Sequence, residues 1–537
     1  MTGSQQADAV VPQGRGRAAR KFLAALALVA AASTILPAGL GAQQSGTAPA
    51  AVGRPLLQPD LESYIAKGMK LYDLPGLAIG VVFDGQLVYS KGFGVRTKTG
   101  GGAVDTHTLF QIGSTTKAFL ATTLAIMVDR GKLSWDDKVV DLDPEFQLQD
   151  PWVTREFRVF DLLAQRSGLP PYANDTVGML GADETAMIRS LRYVMPTTSF
   201  RSSFTYTNIT HLEAGRIVAK ADGLPDWNAV LRKELLDPLG MKDSSYTAAA
   251  IEAAPNHAQG HRWTPSGTTP IPFTQLFPYD FGGAGDINSN IEDVAQWLRL
   301  QLDDGSFGDV RIVSAANLAV TRTPRVAIND KLLYAMGWII SMTPNGKVIW
   351  HNGGTSGFGA FVGFSPDKHV GVVVLTNEEN HGMPESLALW IFDWILDNPP
   401  VDYVAASFER AKTKYAASEK VFAKPAHPRS FQPLTGLEGD FANESFGKAS
   451  LAKDGDSLVL TLKATDAQLA LDPWDGDIFT VRVLPTGRYA PVAESNGPMP
   501  LGFAQFQTSQ EGKLDLLRLT SEDGQTYLFR REAAAAP

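Results

Sequence analysis

A chain of 537 residues is too long for one compact core, so two folded units are expected. Its composition, 44% hydrophobic and 20% charged, is that of an ordinary globular protein, and a formal charge of −9 with no basic block interleaved with aromatics argues against a nucleic-acid partner. The absence of cysteine excludes disulfides, thiolate nucleophiles, zinc–thiolate sites and iron–sulfur clusters; it does not exclude export, because a large core needs no disulfide staples.

In chain order, Arg15, Arg17, Arg20 and Lys21 precede a short apolar run over residues 22–32, and small residues follow, with Ala38 and Ala42 as candidate cleavage points. This is the layout of a secretory signal peptide over 1–42, which implies a periplasmic or secreted protein. The run is shorter than the roughly 20 residues of a spanning helix, and no later segment is longer, so no stable membrane span is expected after cleavage. Residues 43–54, rich in Gly, Ala, Ser and Gln, read as a flexible lead-in.

Two strands are predicted at 77–82 and 86–90, joined by the hairpin dipeptide Asp84-Gly85. Over 114–130 the period becomes helical, with Phe119, Leu120, Leu124, Met127 and Val128 on one face and Gly131 as the stop. The middle, about 136–304, mixes short amphipathic helices with loops punctuated by Pro and Gly. Strands are then predicted at 337–342, 348–351, 361–364 and 370–376, and a helix at 384–396. A helical middle flanked by strands from both ends implies an α+β fold: an antiparallel sheet flanked by helices plus a helical subdomain, over 55–398. Pro399-Pro400 opens a charged, Ala- and Pro-rich linker over 399–433 with one helix at 404–418. Beyond it the text is all β, with strands at 457–463, 478–484, 503–508, 514–520 and 526–530 and turn signals at Asp454-Gly455 and Asp523-Gly524. That rhythm implies a small barrel over 434–533.

Two Ser-x-x-Lys matches occur. Ser365-Pro366-Asp367-Lys368 lies between two strands and reads as a hairpin tip, because Pro366 suits the second position of a turn. Ser114-Thr115-Thr116-Lys117 instead opens the predicted helix. Residues three apart share a helix face, so the Lys117 amine can reach the Ser114 hydroxyl, and a desolvated neutral lysine is a competent base for that weak nucleophile. Tyr206-Thr207-Asn208 again leads a loop into a helix: the phenol can relay a proton, and Asn208 can hold a substrate amide or the lysine. Tyr172-Ala173-Asn174 has the same spacing but follows Leu169-Pro170-Pro171 and reads as loop structure. The third element is His351-Asn352-Gly353-Gly354, whose glycines allow close approach of a substrate and whose Gly354 N–H can join that of Ser114 as an oxyanion hole. His257 and His261 are spaced like zinc ligands, but Gly260 intervenes and no acidic zinc motif surrounds them, so they read as a surface loop; no metal and no cofactor is expected.

On Phe110-Gln111-Ile112-Gly113-Ser114-Thr115-Thr116-Lys117, Tyr206-Thr207-Asn208 and Trp350-His351-Asn352-Gly353-Gly354, the chain from about 55 to 395 resembles the serine β-lactamase-like, penicillin-binding-protein-like superfamily, in its branch of class C β-lactamases, D-aminopeptidases and esterases. The resemblance implies acyl-enzyme chemistry, with Ser114 attacking and Lys117, Tyr206 and His351 managing protons. It departs at His351, where β-lactamases carry the lysine of Lys-Thr-Gly, so strong β-lactam turnover is not expected. It departs also at Ala164-Gln165-Arg166, where relatives carry Ser, His or Thr types. The terminal β region resembles the lipocalin-like barrel attached to some members. The expectation is an exported serine hydrolase acting on a small peptide or ester. A peptidase for short or unusual peptides, including those with D-residues or linearised from rings, comes first, with the linear-microcystin peptidases of bacterial toxin breakdown as one specific type. Carboxylesterase or weak β-lactamase action is the alternative, and a peptidoglycan- or β-lactam-binding sensor is the non-enzymatic one. Oligomeric state is left open.

Overall fold

The computed structural model describes residues 58–430, 434–510, 514–521 and 524–532; the predicted leader over 1–42 and the lead-in over 43–54 lie outside them. The apolar runs near the two ends of the first unit meet as neighbours. Gly76–Phe83 pairs antiparallel with Val370–Thr376, from Leu77 opposite Thr376 to Phe83 opposite Val370. These strands bury both faces, which is why their sequences are apolar throughout rather than alternating. Their period of two still shows in what each side chain touches. Leu77, Ile79 and Val81 join one core, with the helices Gln58–Tyr72, Met383–Ile395 and Tyr403–Phe422. Ala78 and Val82 join the other, with Thr116–Asp129 and Ile291–Leu302.

The sheet has eight strands, in the order Gln86–Gly94, Gly76–Phe83, Val370–Thr376, Phe358–Ser365, Gly346–Thr355, Ile339–Thr343, Leu332–Tyr334 and Val326–Ala327. The sequence reading missed the last two because runs of two and three residues carry no period. The strand Gly346–Thr355 pairs with Ile339–Thr343 only as far as Trp350, whereas its pairing with Phe358–Ser365 continues to Thr355. From His351 onward it therefore has a strand on one side only. The helical subdomain fills the space between the two halves of the sheet sequence. Its helix Ile209–Asp222 is closed by Gly223 in the left-handed region (φ 69°). Ser365 to Lys368 forms the turn expected of it, with a short 3₁₀ helix over Pro366–Lys368.

The terminal β region is a closed barrel of eight antiparallel strands in simple chain order from Gly439–Asn443 to Thr526–Arg531, so both the α+β class and the barrel expectation hold. Three strands escaped the sequence reading: Gly439–Asn443, Gly447–Asp454 and Gln468–Asp475, whose outward residues are mostly polar. The barrel interior is packed with side chains such as Leu451, Leu460, Leu471, Phe479, Leu517 and Phe529. The helix Tyr403–Phe422 lies against the first unit, where Tyr72 Oη donates to Ser407 Oγ (2.8 Å) and Phe408 packs edge-on against Trp263. One end of the barrel rests on the helical subdomain. Val177, Leu180 and Leu276 enter the barrel's apolar cluster, and Tyr489 Oη donates to Leu180 O at 3.1 Å.

Candidate active site

Ser114 sits one step earlier than expected, in a 3₁₀ turn over Gly113–Thr115 that feeds the α-helix Thr116–Asp129. In a 3₁₀ turn residues three apart eclipse one another, so Lys117 stands over Ser114. The helix that carries Lys117 is apolar nearly all round and buried from Thr116 to Met127, which takes the amine out of water. Ser114 is half-buried between buried Gly113 and Thr115. Gly113 adopts φ 52°, and a Cβ there would lie 2.8 Å from Gly354 N; a Cβ on Gly353 would lie 1.9 Å from Ile112 O. Main chain therefore touches main chain, and only glycine fits. That contact sets Gly354, the exposed residue of an otherwise buried stretch, beside the Ser114 turn.

Lys117 Nζ is 3.1 Å from Ser114 Oγ, 2.7 Å from Asn208 Oδ1 and 2.8 Å from Ala284 O. Two of these partners leave no choice of role. A carbonyl oxygen only accepts, and Asn208 turns its oxygen to the lysine because its Nδ2 donates to Asp175 Oδ2 at 2.5 Å. A neutral amine has two N–H groups and one lone pair. Both N–H groups are taken, so the lone pair faces the Ser114 hydroxyl. Burial pulls the amine from its ordinary value down to about 7, with Asp175 and Asp286 pushing back. Burial pushes the Asp286 carboxyl up to about 6 although Trp227 Nε1 (2.9 Å) and Gly283 N (3.0 Å) both donate to it. The arrangement thus suits Lys117 to act as a base toward the Ser114 hydroxyl near neutral pH.

Tyr206 lies with Lys117 Nζ 4.8 Å from its ring centroid. Its hydroxyl is buried and makes no hydrogen bond of standard geometry; burial raises its pKa well above 10, and the nearby Ser114 hydroxyl opposes that only in part. His351 is fully buried, its ring 6.2 Å from that of Tyr206. Its Nδ1 lies 2.6 Å from the carbonyl of Asn352, so Nδ1 carries the proton, and Nε2 accepts from Tyr334 Oη at 3.1 Å. Burial, then the Lys117 charge, push its pKa down to about 3. The imidazole is neutral and both its nitrogens are engaged, so it supplies no positive charge. The structure thus gathers Ser114, Lys117, Tyr206, Asn208, His351, Gly353 and Gly354 into one locale.

The Beta-lactamase family profile matches residues 61–392. The chain belongs to the Beta-lactamase family. Among its relatives, Unguisins hydrolase ungD' of Aspergillus campestris (strain IBT 28561) is 26% identical over 472 residues, covering 82% of this chain and 86% of that one. Penicillin-binding protein 4 of Amycolatopsis lactamdurans is 28% identical over 379 residues, covering 68% and 93%. The octameric penicillin-binding protein homologue from Pyrococcus abyssi shares the fold, with a TM-score of 0.57 at 24% identity, over 88% of this chain and 100% of that one.

Within this Beta-lactamase-family site, four residues escaped the sequence reading. Gln165 occupies the departing Ala164-Gln165-Arg166 stretch and clasps the loop before Asn208. Its Oε1 accepts from Thr207 N (2.6 Å) and Thr207 Oγ1 (3.1 Å), and its Nε2 donates to Thr207 O (3.1 Å). Asp175 anchors Asn208, and Asp286 sits in the charge field of Lys117. Tyr172, read as loop structure, is in a loop, but its ring packs 5.6 Å from Tyr206 and its N–H donates to Tyr206 O (2.7 Å). One reading is corrected. His261 is not in a surface loop: it is fully buried at the head of the strand His261–Thr264, where Nδ1 donates to Asn377 O at 2.8 Å. His257, half-buried, is held through Nδ1 by the carbonyl of Ala254, three residues earlier, at 2.6 Å. Among the described residues no group of His, Asp and Glu is spaced to hold a metal ion, and no helix is long and apolar enough to cross a membrane.

Proposed function

We propose that the protein is an exported serine peptidase that cleaves short or unusual peptides through an acyl-enzyme on Ser114. The observation that carries this is the fully buried Lys117 amine 3.1 Å from the Ser114 hydroxyl, where burial pulls its pKa down to about 7. Neutral Lys117 takes the proton as Ser114 attacks the carbonyl. As the leaving nitrogen departs, the Tyr206 phenol, kept protonated by burial, gives it a proton and regains one from Lys117, and water then releases the acyl group from Ser114. His351 backs that phenol as a neutral ring, and Asn208 holds the lysine. The N–H groups of Ser114 and Gly354 receive the oxyanion, each such donor being worth about 10²–10³ in rate. The strand edge beyond Trp350 offers unpaired main chain to an extended substrate, a geometry suited to peptides. The name of the relative Unguisins hydrolase ungD' supports a hydrolase, and the leader over 1–42 supports a periplasmic or secreted site of action.

A carboxylesterase with the same nucleophile is the alternative. An amide leaves poorly without protonation, whereas an alkoxide leaves readily. Matched amide and ester substrates, including peptides with D-residues, separate the two. Amide turnover supports the peptidase; turnover of esters alone sinks it. A binding sensor predicts Ser114 unmodified by a fluorophosphonate under conditions where a control hydrolase reacts.

A further inference from the structure

The peptide unit joining Gly353 to Gly354 is flanked by two residues without side chains, so nothing in its own sequence holds it still. Beyond the pairing of this stretch with Phe358–Ser365, a neighbouring segment does. Asn380 Nδ2 donates to Gly353 O at 2.8 Å and also to Glu385 Oε1 at 3.0 Å, while Asn380 Oδ1 accepts from Gly382 N at 2.8 Å. Both donors of this amide and its acceptor are therefore occupied, which fixes the side chain's orientation. Glu385 stands in the first turn of the helix Met383–Ile395, which packs on the sheet. The same Oε1 accepts from Asn352 Nδ2 at 2.6 Å, tying the strand down one residue earlier. Asn352, Asn380 and Glu385 are each only 6% exposed, so these bonds are made away from competing water.

A peptide unit is planar, with its C=O and N–H pointing in opposite directions. A hydrogen bond that fixes Gly353 O therefore fixes the direction of the Gly354 N–H. That N–H lies against the Ser114 turn, since Gly354 N is 2.8 Å from where a Gly113 Cβ would sit. We propose that Asn380, held by Glu385 and Asn352, is a positioning residue that aims the Gly354 N–H at the oxyanion of the acyl-transfer step. The inference rests on the reading of Ser114 as nucleophile. Asn380 bonds to Gly353 O, Glu385 and Gly382 N and not to Ser114 or Lys117, so its effect passes through one peptide plane.

The test uses the full chain and an alkyl fluorophosphonate, whose phosphoryl oxygen takes the oxyanion's place, with the Ser114 adduct followed by intact mass. Asn380→Asp keeps the volume but removes the N–H donor; Asn380→Ala removes the group. Both are expected to lower the saturating labelling rate and kcat about 10- to 100-fold, with KM moved less than about threefold, as for a donor misplaced by a fraction of an ångström. Glu385→Gln, which keeps an acceptor for Asn380, should lose less than Glu385→Ala. Should neither Asn380 variant fold, Asn352→Ala leaves Asn380 in place and is expected to lower the rate about 3- to 10-fold by loosening Glu385. Folded variants that label at the wild-type rate, or that lose only KM, overturn the inference and leave the nucleophile reading intact. A wild-type protein that does not label at all overturns the nucleophile reading, and the inference falls with it.

Discussion

The two β structures of this chain treat their edges in opposite ways. The barrel closes on itself, leaves no edge among its strands, and fills its interior with leucine and phenylalanine. The eight-stranded sheet stays open, and its strand Gly346–Thr355 runs five residues past the end of one neighbour's pairing, from His351 to Thr355. The candidate site residues gather at that single-sided stretch. An unpaired edge is a liability that most proteins cover; here the Ser114 turn packs against the strand at Gly353 and Asn380 holds the Gly353 carbonyl, while Gly354 stays exposed. The barrel contributes differently. Its end holds Val177, Leu180 and the carbonyl of Gly181, in and after the short helix Asp175–Met179, whose first residue anchors Asn208. The barrel's interior is packed, and its link to the candidate site runs through the segment it seats.

Variants can break this comparison at several levels. Ser114→Ala should lower kcat by at least about 10³-fold. It should move the melting temperature by no more than about 2 °C, since one hydroxyl is lost from a half-buried position. Retained turnover with an intact fold would shift the chemistry elsewhere. Next comes the support beneath Asn208. Leu180→Asp places a charge in the barrel-facing cluster and should lower kcat about tenfold by loosening Asp175. Leu460→Ala, inside the barrel, should cost about 2–5 kcal/mol of stability. Its kcat, measured below the melting transition, should stay within about twofold of wild type, as distant sites act independently. Equal kinetic losses in the two variants would mean that the barrel works as a whole and not through its seat. The smallest effect concerns substrate charge. His351→Ala should lower activity equally on substrates with and without a carboxylate, because the ring is neutral and tied to Tyr334. A selective loss on carboxylate-bearing substrates would show the imidazole acting as a cation.

What the sequence made legible follows the range over which physics acts. The Ser114–Lys117 pair is local, spaced by one helical turn, and could be read directly. Tyr206, Asn208, His351 and the two glycines could be read because each combines a special residue type with a special position. Asp175 and Gln165 could not, because their roles rest on contacts 33 and 42 residues away and their neighbourhoods look like an ordinary helix start and an ordinary loop. Asn380 and Glu385 follow the last strand of the sheet, in a stretch whose pattern announces only a helix. His261 was misplaced for the opposite reason. The flanking Gly260 suggested a loop, whereas it lets the chain pass against Gly357, only 3.1 Å from where its Cβ would be. Short strands such as Val326–Ala327 are held by their partners alone.

The central claim is that a buried, neutral Lys117 makes Ser114 nucleophilic. It is tested most directly by the rate of Ser114 modification by a fluorophosphonate as a function of pH. Neutral amine is the active form and burial sets its pKa at about 7, so the rate should rise as one proton is lost through about pH 7 and level off above it. A rate that climbs only near the ordinary lysine value of 10.5 would contradict the account, as would a Ser114 that stays unmodified across the whole range.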